Sequence, residues 1–105
     1  MTRVEMRRTD AGNALIVDGH QDGEEYGKNI YCAAVGSMVA CLRNALIREG
    51  VSSEFDCRDG HVEVRAGRGE RLDAFFDAAV SGFLGMQQEY PERLGVTLNG
   101  EALLK

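Results

Sequence analysis

Val4 and Met6 stand between charged neighbours, Asp10-Ala11-Gly12-Asn13 carries turn chemistry, and Ala14-Leu15-Ile16-Val17-Asp18 begins as an apolar run. Residues 3–18 are therefore expected to form a hairpin of two strands. Then the pattern breaks. Gly19-His20-Gln21-Asp22-Gly23-Glu24-Glu25-Tyr26-Gly27-Lys28 is polar with three glycines, a composition that predicts a loop longer than a simple connection requires. From about Asn29 to Glu49, Ile30, Ala34, Met38, Cys41, Leu42, Ala45 and Leu46 recur every three to four positions. That spacing is one buried face of a helix, with Gly50 as its C-cap.

Beyond the helix, Phe55 and Cys57 alternate with charges, Asp59-Gly60 is a favoured two-residue turn, and Val62 and Val64 resume the alternation. A second hairpin is expected. After a loop at 66–69, a second helical stripe runs through Leu72, Phe75, Phe76, Ala79, Val80, Phe83, Leu84 and Gln87 until Pro91 stops it. Leu94, Val96 and Leu98 alternate as a last strand before Asn99-Gly100. The order β-β-α-β-β-α-β is that of an α+β fold, a single two-layer domain over residues 1–105 with two helices on one face of a mixed sheet.

Composition narrows the class. The 44% hydrophobic and 28% charged residues are ordinary for a globular domain. Apolar runs are only a few residues long, far short of the roughly 18–20 that span a bilayer, and no apolar segment follows the N-terminal charges as in a secretory signal. No membrane partner is expected, and the cytoplasm is the default compartment. The net charge of −5 opposes direct nucleic-acid binding and favours a basic protein or peptide partner. Three cysteines, an odd number without close pairs, argue against a disulfide scaffold or a zinc knuckle.

Candidate chemistry gathers at the long loop. Asn29 is a good N-cap residue, so Cys32 falls in the first turn of the helix, where free backbone amides and the dipole favour a thiolate and offer an oxyanion site. His20 stands directly after the second strand, within plausible reach, as general base and then acid. Taken alone, the same residues also read as a solvated loop histidine and a packing cysteine.

The run from Gly19 to Val35 resembles the signature of the ribosomal-processing cysteine protease (Prp) family: Gly-His, a short acidic stretch, Tyr-Gly, a polar residue, then Ile30-Tyr31-Cys32-Ala33-Ala34. The N-terminal hairpin, the long helix after the cysteine and Glu89-Tyr90-Pro91 are similar too, so the resemblance covers essentially the whole chain. It implies a homodimeric endopeptidase that removes the N-terminal extension of the large-subunit ribosomal protein numbered twenty-seven with a Cys32–His20 dyad. It also implies a His–Cys loop that moves on substrate binding, with Gly19, Gly23 and Gly27 as hinges. Asn29 replaces the family's aspartate, Gln21 an alanine and Gly36 a common serine; an asparagine is still able to orient an imidazole.

Asp18, Asp22, Glu24 and Glu25 are candidates to attract a basic extension. These carboxylates favour a protonated His20 and oppose a thiolate, so the helix end has to outweigh them. The spacing of His20, Asp22, Glu24 and Cys32 matches no standard zinc site, so no metal or cofactor is expected. Cys41 and Cys57 are expected in the core, His61 exposed, and Arg65, Arg68 and Arg71 on a solvated loop and helix start. The alternative function is a non-catalytic ribosome-assembly or RNA-associated binding module on the same fold.

Overall fold

The computed structural model describes residues 2–19, 30–58 and 60–102, with positions 30–32 and 102 described in backbone only. In chain order these residues form β1 (Thr2–Thr9), β2 (Gly12–Asp18), α1 (Ile30–Glu49), β3 (Ser53–Arg58), β4 (His61–Ala66), α2 (Glu70–Glu89), β5 (Leu94–Leu98) and β6 (Glu101–Ala102). The expected order β-β-α-β-β-α-β is present, with β6 added after it. Asn99 (φ 50°) and Gly100 (φ 87°) adopt the left-handed conformations of a tight hairpin turn, which lets Glu101 pair with Leu98.

The sheet runs β3-β4-β2-β1-β5-β6. Only β1 and β5 are parallel, with Val4 opposite Val96; the other pairs are antiparallel, as in Val4 opposite Val17 and Leu15 opposite Val64. Because side chains alternate across a sheet, this register sends Val4, Met6, Leu15, Val17, Val64, Leu94 and Val96 to one side. There they meet Val39, Leu42, Leu46, Phe76, Ala79, Val80 and Phe83 of the two helices in one buried core. The opposite face carries Arg3, Glu5 and Arg7 of β1, Ile16 and Asp18 of β2, His61, Glu63 and Arg65 of β4, and among the described residues no helix covers it.

α2 begins without a side-chain cap at Gly69. The Asp73 N–H makes the first helical bond, to the Gly69 carbonyl at 2.7 Å, and the Asp73 carboxylate accepts the Gly69 amide at 3.4 Å from within the first turn. The helices approach closely enough that a Cβ built on Gly82 would stand 2.2 Å from Met38 Cε. At the other end of the pair Arg71 of α2 donates to Glu49 of α1 at 2.7 and 3.0 Å, so the helices run antiparallel.

Two core assignments made on sequence grounds are corrected. Cys41 and Cys57 are free and exposed. On α1 the buried positions are Val39, Leu42 and Leu46, so Cys41 lies to one side of the stripe. Cys57 does share the helix-side parity of β3, but β3 is an edge strand and every residue of it is exposed. Phe55 on the same strand is 40% exposed and lies beneath the Arg43 guanidinium, 4.4 Å from its ring centre.

Candidate active site

Sheet register fixes which end of the sheet the close of β2 and the start of α1 share. β2 finishes at Asp18, opposite Arg3 of β1 and His61 of β4. At the far end of the sheet Asn13 pairs with Ala66, and Ala66 with Ser53, the first residue of β3. Since α1 leads into β3, its C-terminus lies at that far end, and its 20 residues span about 30 Å at 1.5 Å per residue. Its N-terminus therefore returns to the Asp18 end. The helix pairing agrees: continuing the register of Glu49 against Arg71 and Met38 against Gly82 sets Cys32 level with Gln88, close to the end of α2.

Cys32 is the third residue of α1, inside the turn whose amides have no intrahelical acceptor. The first turn contains no acidic residue, so nothing on the helix itself offsets the positive end of its dipole. Gly19 follows β2 with φ +111°, a conformation that residues with a Cβ rarely adopt, and its N–H donates to the Gly60 carbonyl at 2.8 Å. His20 is bonded to Gly19. His20 itself, Asp22, Gly23, Glu24, Glu25, Gly27 and Asn29 lie outside the described residues, as does the side chain of Cys32. The structure thus brings the two backbone anchors of the proposed dyad to one end of the sheet.

His61 is not simply exposed, contrary to expectation: its side chain is 26% accessible. Its Nδ1 meets Asp18 Oδ1, and its Nε2 meets Glu63 Oε1 at 3.3 Å. The hydrogen bond to Asp18 leads in holding the imidazole pKa above its ordinary value, against partial desolvation. Glu63 is held below the usual carboxylate range, first by its hydrogen bond to Arg65 and also by His61. The sequence signal for this cluster was available only in part, because the Asp59-Gly60 turn places His61 first on its strand but does not say which strand lies beside it.

Arg65, Arg68 and Arg71 each engage a carboxylate: Glu63, Asp73 at 2.9 Å and Glu49 at 2.7 Å. They are neutralised surface pairs and form no free basic patch. Among the described residues no group of three or more His, Cys, Asp or Glu is disposed to hold a metal ion, and no helix is long and apolar enough to cross a membrane. Two depressions open on or beside the uncovered face. The larger, about 660 Å³, lies at the far end among Thr9, Gly12, Ser53 and Gly67. The smaller, about 390 Å³, reaches Arg3, Asp18, Gly95 and Gln87 and so includes the last residue of β2.

The family model described as cysteine protease Prp matches residues 1–95. A ribosomal processing cysteine protease Prp of Staphylococcus aureus is 34% identical over 73 residues, which cover 63% of this chain and 67% of the relative. A crystal structure of the essential ribosomal processing protease Prp from S. aureus, with a covalently linked product peptide, superposes with a TM-score of 0.84 at 23% identity, over 94% of this chain and 100% of that one. A crystal structure of SMU.848 from Streptococcus mutans gives 0.73 at 26% identity, over 93% and 96%.

Proposed function

From its membership of the cysteine protease Prp family, to which this chain belongs over residues 1–95, we propose that this cysteine peptidase removes the basic N-terminal extension of the large-subunit ribosomal protein numbered twenty-seven. Cys32 is the nucleophile and His20 its base. The observation that carries the reading is the shared placement of the α1 N-terminus and the end of β2 at one end of the sheet. The relative crystallised with a covalently linked product peptide supports a covalent route.

In that route His20 takes the Cys32 thiol proton as the sulfur bonds to the scissile carbonyl carbon. The negative oxygen so formed sits against the first-turn amides of α1, which are fixed in the backbone and need no reorganisation. As the C–N bond breaks, the imidazolium returns its proton to the leaving amine, leaving a thioester. Water, deprotonated by His20, then attacks the thioester and restores the thiol. Asn29 orients the imidazole, Gly23 and Gly27 let the connecting loop adjust to substrate while Gly19 is tied to Gly60 at its base, and Asp22, Glu24 and Glu25 attract the basic extension. The whole chain acts as one protease domain, working as a homodimer in the cytoplasm.

The test is incubation of the chain, its Cys32→Ser form and its His20→Ala form with a peptide spanning extension and mature start, followed by mass spectrometry. One cut made only by the unaltered chain is expected. An intact peptide in all three samples overturns the assignment.

A further inference from the structure

The Asp18–His61–Glu63 cluster takes no part in the chemistry above, yet it stands where β2 releases the chain toward His20. We propose that His61 and Asp18 are positioning residues that clamp the end of β2 and so fix the direction from which the general base approaches. The proposal rests on the reading of His20 as that base.

Two independent ties meet at this corner. On the side-chain level His61 bonds Asp18, the last residue of β2. On the backbone level the N–H of Gly19 donates to the carbonyl of Gly60, the residue before His61. Both ties join the chain leaving β2 to the start of β4, one and two residues before His20. With Gly19 held at φ +111°, the departure angle is set by a conformation that is open essentially to glycine alone. Gly19 is bonded to His20, so what the two ties fix is the point and direction at which the chain is handed on to that residue.

The ring must be doubly protonated to hold the full arrangement. Ionised carboxylates only accept, one faces each ring nitrogen, and a neutral imidazole has a single N–H. The surroundings favour that charge on balance. Asp18 approaches from β2, Glu63 from β4 itself and Asp56 from β3, while Arg58 on β3 opposes. Arg3 stands across from Asp18 on β1. The clamp is accordingly at full strength below the ordinary imidazole value near 6.5 and loosens as pH rises through the raised value of the folded chain.

The experiment is a pH titration of the whole chain by NMR beside peptidase kinetics. The sequence contains two histidines, so the His61→Gln spectrum assigns both Hε1 signals. Expected are a second inflection in the His20 signal at the His61 midpoint, its disappearance in Asp18→Asn, and faster hydrogen exchange at the Gly19 amide in His61→Gln. Peptide cleavage by Asp18→Asn and His61→Gln should lose kcat with KM unchanged, by up to about a hundredfold for a base displaced by about 1 Å. His61→Lys, which keeps a cation opposite Asp18, should recover part of it and flatten the high-pH arm. A His20 titration and a Gly19 exchange rate that ignore all three variants overturn the clamp, even in a fully active protease. Coupled titrations with no peptide cleavage by the unaltered chain would instead overturn the protease reading, and with it the positioning role, and leave only the tie between His61 and the end of β2.

Discussion

Replacing Asn13 by alanine removes a buried polar side chain that makes three hydrogen bonds. Asn13 is 2% exposed, at the end of the sheet away from Cys32. Its Nδ2 donates to the Gly67 carbonyl at 2.9 Å and to Asp73 Oδ1 at 2.8 Å, and its Oδ1 accepts from Arg8 Nε at 2.6 Å. One of these bonds is neutral, worth about 1 kcal/mol net, and two engage charged partners, where about 1.5–3 kcal/mol is usual. The charged partners keep other contacts, Arg8 with Asp77 at 2.9 Å and Asp73 with Arg68 at 2.9 Å, and both are partly solvated. Their share is therefore reduced, and the expected loss is about 2–3 kcal/mol.

Urea unfolding followed by circular dichroism measures it. With a denaturant slope of about 1–1.5 kcal/mol per molar for a chain this size, the midpoint should fall by about 2 M with the slope unchanged. Asn13→Asp should be worse near neutral pH, because it loses both donors and sets a second carboxylate against Asp73. A loss under about 0.5 kcal/mol in Asn13→Ala, or an aspartate variant as stable as wild type at pH 7, would show that water replaces these bonds and that the argument from burial is wrong.

Asp73 is held well below the usual carboxylate range, first by its hydrogen bond to Arg68 and then by Asn13. A depressed folded value stabilises above the unfolded pKa and is lost as pH falls, so the difference between wild type and Asp73→Asn should shrink steadily from pH 5 to pH 2 in thermal melts. Gly82→Ala should be nearly neutral, since helix propensity gains about 1 kcal/mol while the flexible end of Met38 has to swing aside. Gly82→Leu cannot be accommodated in that way and should cost about 1–3 kcal/mol in chemical unfolding. Alkylation near neutral pH, read by peptide mapping, should mark Cys32 well ahead of Cys41 and Cys57; because those two are exposed, equal rates at all three would mean that the helix end gives Cys32 no special reactivity.

Local pattern carried most of the secondary structure. Period-two alternation located β1, β3, β4 and β5, an apolar run located β2, and the three-to-four spacing located both helices, because these signals depend on neighbours within one turn or one hairpin. The first turn is only Asp10-Ala11, with Gly12 and Asn13 of the expected turn already paired in β2. The signature from Gly19 to Val35 likewise carried the family and the candidate dyad. What the sequence left open is everything set by pairing at a distance. Alternation assigns Cys57 to the helix side of β3, but only the strand order makes β3 an edge and leaves that thiol in solvent. Helical spacing admits Cys41 to the stripe, but the stripe's centre is fixed by how α1 sits over the sheet, and it falls on Val39, Leu42 and Leu46. The meeting of Asp18 with His61 has only half a local signal, the turn that puts His61 first on β4. It requires β2 to lie between β1 and β4 in a particular register, and that register is chosen by burial of Leu15, Val17 and Val64 on the far side of the sheet.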